Sequence, residues 1–187
     1  MGTGQKGRCF LHRVESISAD GEPCVIYTGE SEQFSAEYHV ITGQGIFESR
    51  EAVEADRVTL EFLTPARIKS NGRFRDDIDF EMLVRALLRR IMALSYFHCG
   101  QEPELDYRGL VKRARQNVRK VGDSSRWHDW SRYSRRQDTR LMMGGIRGKV
   151  AFEGDLHEFM PLLLLGEYIH VGKGTAFGLG KYNICGR

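Results

Sequence analysis

Between Asp79 and Phe97 the apolar residues Phe80, Leu83, Val84, Leu87, Leu88, Ile91 and Leu94 recur at i, i+3, i+4, i+7, i+8, i+11 and i+14. That spacing gathers them on one stripe of a helix, and a stripe this long must be covered by a second layer of structure. Asp77 or Asp79 can cap the helix N-terminus, and Gly100 can end it. Upstream, Val58-Thr59-Leu60-Glu61-Phe62 alternates apolar and polar, as a strand does, and Thr64-Pro65 interrupts it. A loop containing Asn71-Gly72 joins strand to helix.

Downstream the pattern continues. Arg126–Gln137 carries Trp127, Trp130 and Tyr133 at a spacing of three, which also suits a helix. Its aromatic content and the following Gly144-Gly145 favour a strand. Lys149–Glu153 is a second strand and its expected hairpin partner. Pro161 opens a short helix over 162–167, because proline suits the first helical position. Residues 181–185 read as a closing strand. From residue 57 the order is strand, helix, strand, strand, helix, strand. The expected class is α+β: a ferredoxin-like, RRM-like domain over 57–187 with an antiparallel four-stranded sheet and two helices. RNA-recognition motifs share this order and stack bases on the open sheet face, though a fold alone assigns no function. Residues 1–56 hold two strand-like runs, 8–15 and 24–28, around turn residues 19–23. They are expected to be a β-rich extension or the remnant of a preceding domain.

Charge is unevenly placed. Residues 1–107 hold 12 Lys and Arg against 18 Asp and Glu, while residues 108–187 hold 16 against 7. The halves therefore carry −6 and +9 within a net charge of +3. Such asymmetry fits either a polyanionic partner or a solvated basic face. No apolar run nears the ~20 residues of a membrane helix, and no signal peptide is visible, so a cytoplasmic location and no membrane partner are expected. Cys9, Cys24, Cys99 and Cys185 form no Cys-x-x-Cys pair and stand at no zinc-finger spacing from a histidine. They read as reduced thiols, with no metal site and no cofactor expected.

Glycine punctuates the C-terminus as Gly172-x-Gly174-x-x-x-Gly178-x-Gly180, interleaved with Lys173, Phe177 and Lys181. A P-loop is excluded, because Glu167 stands where its first glycine belongs and Gly174 follows the lysine. The dinucleotide pattern fails at Phe177. Two readings remain. The backbone N–H groups of such a loop can form an anion nest, or the glycines serve a tight connection.

The run from Gly166-Glu167 through His170-Val171-Gly172-Lys173-Gly174-Thr175-Ala176-Phe177-Gly178-Leu179-Gly180-Lys181-Tyr182 resembles the C-terminal signature of the CRISPR-associated endoribonucleases that process precursor CRISPR RNA, members of the RAMP superfamily. Leu63-Thr64-Pro65-Ala66-Arg67-Ile68 before the Arg89-Arg90 helix is similar to that family too, as is the run from Trp130 to Gln137 leading to Gly144–Gly148. The resemblance covers residues 57–187 well and the first 56 loosely. It implies two tandem ferredoxin-like domains in the full protein. It also implies metal-independent cleavage of CRISPR repeat RNA, in which a 2′-hydroxyl attacks the adjacent phosphate and leaves a 2′,3′-cyclic phosphate. The partners implied are CRISPR repeat RNA, an N-terminal ferredoxin-like domain missing from this chain, and other CRISPR-associated proteins. The family's histidine usually lies in that N-terminal domain, so the catalytic group is expected outside this chain. A non-catalytic RAMP subunit that binds guide RNA in an effector complex is the alternative.

Cleavage of this kind needs a base, an acid and a cation for the phosphate, and histidine is matched to the first two near neutral pH. Of His12, His39, His98, His128, His157 and His170, only His170 adjoins the glycine loop. It is the candidate catalytic residue, with orientation of the loop as its other reading. The candidate RNA-binding residues are Gly172, Lys173, Gly174, Gly178, Gly180, Lys181, Arg132, Arg135 and Arg136. Trp127, Trp130 and Tyr133 are a candidate stacking platform, with some of them expected in the core.

Overall fold

The computed structural model describes residues 8–19, 21–31, 33–48, 56–134 and 138–185. The chain divides into two units, Met1–Glu51 and Ala52–Arg187. In the first, strands β1 (Arg13–Ile17) and β2 (Pro23–Thr28) form an antiparallel hairpin with a bulge between Val14 and Glu15. A short helix, α1 (Gly43–Glu48), follows.

The second unit begins with β3 (Arg57–Ala66). Strands β4 (Lys69–Ser70) and β5 (Arg73–Phe74) form a two-residue hairpin about Asn71-Gly72. Both turn residues have positive φ, 51° and 78°, as a type I′ turn requires. Helix α2 (Phe80–Leu94) comes next and runs into a π-helical turn, Ser95–Cys99. Asp79 caps α2, its carboxylate accepting from the Met82 N–H at 2.7 Å, and Gly100 ends the π turn in the left-handed region. Helix α3 (Tyr107–Asn117) is capped by Asp106 and leads into β6 (Val118–Asp123). Three short strands follow, β7 (Arg126–His128), β8 (Ser131–Ser134) and β9 (Thr139–Met142). The long strand β10 (Gly145–Gly154), helix α4 (Met160–Ile169) and strand β11 (Tyr182–Ile184) complete the unit.

The main sheet runs β11–β3–β10–β6, every neighbour antiparallel. This is the ferredoxin-like arrangement, with α2 and α4 as the two sheet-covering helices and α3 as an addition beside α2. Alternate residues of β3 (Val58, Leu60, Phe62) and of β10 (Val150, Phe152) point into the core with the α2 stripe. Phe80 of α2 meets Phe152 and Phe159 at ring-centroid distances of 5.1 Å each, so its truncation to alanine costs ~3–5 kcal/mol. Tyr182 is fully buried against Phe62, and its hydroxyl donates to the Leu163 carbonyl at 2.7 Å. Among the described residues no helix is long and apolar enough to cross a membrane.

Four sequence expectations need correction. The strand expected across Arg126–Gln137 is not one strand: β7 pairs with Gly145–Arg147 of β10, while β8 pairs with β9 in a separate hairpin. The partner of the later half of β10 is β6, whose sequence, Val-Arg-Lys-Val-Gly-Asp, hid the strand behind charge. Thr64-Pro65 does not end β3. The pairing of β3 with β10 shifts register between Ile146 and Gly148, which places Pro65 in the bulge, where its missing N–H costs no ladder bond. None of Trp127, Trp130 and Tyr133 is in the core; they are 37%, 38% and 55% exposed.

Candidate nucleic-acid interface

Helix α4 ends at His170, whose φ of 62° and ψ of 167° turn the chain sharply. The loop that follows is stitched to the end of β3. Gly172 bridges to Arg67, and the Lys173 N–H donates to the Arg67 carbonyl at 2.9 Å. A single 3₁₀ turn, Thr175–Phe177, stands between Gly174 and Gly178, both left-handed. On the return, the Gly180 N–H donates to the Pro65 carbonyl at 3.1 Å, and the Val171 N–H donates to the Gly180 carbonyl at 3.0 Å. The Thr64 hydroxyl donates to the Gly178 carbonyl and accepts from the Lys181 N–H, each at 2.8 Å. Gly180 has φ +75°, and a Cβ there would lie 1.9 Å from the Val171 carbonyl oxygen. The glycine requirement at this position is therefore steric.

The other half of the loop keeps its donors. Among the described residues, the N–H groups of Gly172, Gly174, Thr175 and Ala176 find no internal acceptor, whereas those of Lys173, Gly178, Gly180 and Lys181 are engaged. Gly172, Gly174 and Thr175 line a cleft of about 360 Å3 together with Arg67, Arg89 and Lys173. Arg67 is committed to the fold. Its guanidinium donates to the Met142 carbonyl at 2.5 Å and lies 4.3 Å from the Phe74 ring centroid. Burial lowers its pKa, which marks the cost of holding a cation there. Arg90, also beside the cleft, donates to the Ile169 carbonyl at 3.1 Å. Arg89 and Lys173 are exposed and have no acidic partner among the described residues. An anion entering the cleft thus meets two uncompensated cations and backbone donors without acceptors.

The β8–β9 hairpin stands beside this loop. The Arg132 guanidinium lies 4.9 Å from the ring centroid of Phe177, itself 56% exposed. Arg67 ties the far end of the hairpin through Met142, and the Met143 N–H donates to the Trp130 carbonyl at 2.9 Å. Trp127 is oriented by its indole N–H, which donates to Asp129 at 2.6 Å. Arg126, Arg140 and Arg147 are exposed on the same group of strands. Arg135 and Arg136 lie outside the described residues. The open face of the main sheet is chemically different. Its paired positions carry Glu61 with Lys149 at 3.6 Å and Glu153 with Arg119 at 2.9 Å, and no aromatic ring. The exposed rings of Trp127, Trp130 and Tyr133 sit on and next to β7 and β8 instead.

His170 faces inward. Its Nδ1 lies 3.2 Å from the Leu179 carbonyl oxygen. A carbonyl only accepts, so Nδ1 carries the hydrogen. Burial lowers the His170 pKa, and the nearby Lys181 and Arg90 lower it further, against the opposing effect of the Leu179 bond. The ring is a neutral clasp joining the two ends of the loop. The other histidines belong to other elements: His98 to the π turn, His128 to β7, His157 to the turn before α4, and His12 and His39 to the first unit. Sequence reasoning did not single out Arg67 or Arg89 as lining the cleft. Their signal was weak, since each becomes part of the site only when β3 and α2 meet the loop.

The family model described as CRISPR-associated endoribonuclease Cas6 matches residues 60–182, about two thirds of the chain. No curated protein matches by sequence. Among solved structures, Thermus thermophilus Cas6 is similar at 17% identity and a TM-score of 0.60, over 79% of this chain and 59% of that one. A second Cas6, in its product complex, is similar at 17% identity and a TM-score of 0.55, over 80% and 58%. A partial Cas6-RT-Cas1–Cas2 complex is similar at 16% identity and a TM-score of 0.50, over 76% and 24%. The chain thus spans under two thirds of the length of the Cas6 structures it matches. At these identities the likeness establishes the ferredoxin-like fold.

Proposed function

The chain belongs to the CRISPR-associated endoribonuclease Cas6 family, and from that we propose that residues 57–187 are the RNA-binding ferredoxin-like domain of a nuclease that cleaves precursor CRISPR RNA within its repeats. The observation that carries this reading is the cleft at the glycine loop. Gly172, Gly174 and Thr175 offer free N–H groups there, beside Lys173 and Arg89 without acidic partners. A phosphate satisfies both, and the Arg132 hairpin extends the cationic surface along the strand. Lys181 adds charge at the loop's return, while Gly178 and Gly180 act by shaping it. Arg135 and Arg136, in the same segment as Arg132, belong to the proposed contact surface.

The reaction proposed is metal-independent. The 2′-oxygen attacks the adjacent phosphorus, its proton passing to a base, and the bond from phosphorus to the 5′-oxygen breaks as an acid protonates that oxygen. The products are a 2′,3′-cyclic phosphate and a 5′-hydroxyl. Donors preorganised around the phosphate stabilise the charge that develops on it. The His170 Nδ1–H donates to the Leu179 carbonyl, which makes the ring a brace between the two ends of the loop while its Nε2 keeps a lone pair. We assign it to positioning the loop. The base and acid then come from a preceding ferredoxin-like domain, of which residues 1–56 are the proposed remnant. The second reading is a non-catalytic subunit that binds guide RNA through the same cleft. Family membership supports partnership with other CRISPR-associated proteins in either case.

The test is repeat-RNA binding across a salt series. Lys173→Ala and Arg132→Ala are expected to weaken binding and to lower the salt slope by about 0.7–0.9 for each phosphate that is no longer neutralised. Unchanged affinity in both variants sinks the proposal. Cleavage of the repeat in EDTA by a longer form, but not by this chain, separates the two readings.

A further inference from the structure

The second unit has a larger cleft than the one at the glycine loop. It lies on the helical side, has a volume of about 680 Å3, and is lined by Lys69, Arg85, Arg89, Arg115, Arg119 and Lys120 around α2, α3 and the β4–β5 hairpin. Lys69 and Arg89 line this cleft and the glycine-loop cleft alike, so the two form one trough. Its wall is the outer stripe of α2, from Asp79 at one end to Ala93 at the other. At ~1.5 Å per residue that wall is roughly 20 Å long. With ~3.4 Å per nucleotide along a stacked strand, it matches about six nucleotides.

The charges along the trough are unevenly compensated. Lys120 is held by Asp77 and by Asp123 at 2.8 Å, Arg119 by Glu153 at 2.9 Å, and Arg85 by Glu81 at 2.5 Å. Arg115 reaches Glu81 only at 3.9 Å and is 78% exposed. Lys69 packs 4.8 Å from the Phe74 ring centroid, and neither it nor Arg89 has an acidic partner among the described residues. Asp79 is occupied by the α2 cap. The cations free to meet a ligand are thus Lys69, Arg89 and Arg115, and two of them sit at the seam with the glycine loop. The floor is made of small residues such as Ala86 and Ala114, with no exposed ring for a base to stack upon. That composition favours contact with a sugar-phosphate backbone and leaves base identity unread.

Resting on the RNA-binding reading above, we propose that this trough holds a second stretch of the same RNA. It takes about four single-stranded nucleotides, along the ~15 Å of α2 from Asp79 to Arg89, that flank the part gripped by the glycine loop. Continuity of the two clefts is what favours one polymer over an unrelated anion. The flank adds affinity through its backbone and contributes no sequence preference.

The experiment uses the whole chain and three probes: the repeat RNA alone, and the same RNA with eight uridines added at its 5′ or its 3′ end. One flank is expected to tighten binding and to steepen the salt slope by about 1.4, for two phosphates at ~0.7 each, met by Lys69 and Arg115. Between 50 and 200 mM salt that is an extra loss of affinity of roughly 7-fold. Arg85→Gln combined with Arg115→Gln lies outside the glycine-loop cleft and disturbs only surface ion pairs, which contribute little to folding. It should reduce the gain from the flank, with about 0.7 less salt slope for the phosphate lost at Arg115, and leave the unflanked RNA unaffected. If neither flank adds affinity, or if the double variant weakens all three RNAs equally, the trough proposal is wrong. If a polyglutamate peptide binds through the same arginines while flanks add nothing, the trough serves an acidic protein segment instead. Failure of every RNA to bind overturns the earlier reading of the glycine loop, a distinct outcome.

Discussion

Gly178→Ala and Gly180→Ala form a matched pair that isolates one physical effect. Both glycines are left-handed, at φ 76° and 75°, so alanine at either position carries the same backbone cost of ~1–2 kcal/mol. At Gly178 the new methyl enters open space, with nothing within 4 Å. At Gly180 it would sit 1.9 Å from the Val171 carbonyl oxygen, on backbone that has no flexible end to swing away. The loop must then part. The bonds from Val171 N–H to Gly180 and from Gly180 N–H to Pro65 are the first to go. Breaking two such bonds in a buried setting adds ~2–4 kcal/mol to the cost at Gly180. For a chain of this size each kcal/mol lowers Tm by roughly 2–4 °C, so Gly180→Ala should melt roughly 4–16 °C below Gly178→Ala. Thermal unfolding measures the difference, and hydrogen exchange at the Val171 and Gly180 amides locates it. Equal melting of the two variants, or unchanged protection of those amides, would refute the reasoning.

Two further outcomes follow from the same neighbourhood. The folded state lowers the His170 pKa below its ordinary 6.5, so the folded chain takes up that proton less readily than the unfolded chain. Stability is then intact above about pH 6.5 and declines below it, and His170→Gln should flatten that part of a Tm-against-pH profile; a profile rising toward acid contradicts the assignment. Tyr182→Phe removes the buried hydroxyl bond to Leu163, a loss of ~1 kcal/mol. That hydroxyl lies 2.0 Å from where a Gly166 Cβ would stand, so Gly166→Ala should cost less in the Tyr182→Phe variant than in the parent, and strict additivity in the double-mutant cycle counts against the clash.

Local chemistry made much of this protein legible. The stripe from Phe80 to Leu94 needs only its own 3.6-residue period to declare a helix, and Asp79 and Gly100 mark its limits because caps act within a few residues. Gly172, Gly174, Gly178 and Gly180 announce an unusual loop for the same reason, and Lys173 within it was visible as a cation. The β6 strand was not legible. Arg119 and Lys120 mask its alternation, and only pairing with Phe152 and Glu153 across β10 selects the extended form. Pro65 misled as a strand breaker, since a proline is tolerated where a bulge removes the need for its N–H, and a bulge belongs to two strands at once. The candidate site divides along the same line. That Gly180 spends its N–H on Pro65 while Gly172 keeps its own depends on where β3 lies under the loop. Arg67 and Arg89, some twenty residues apart in the chain, line one cleft only because α2 packs across the end of β3. Period, cap and composition act over a few residues, whereas a cleft is made by surfaces that meet after the chain has closed on itself.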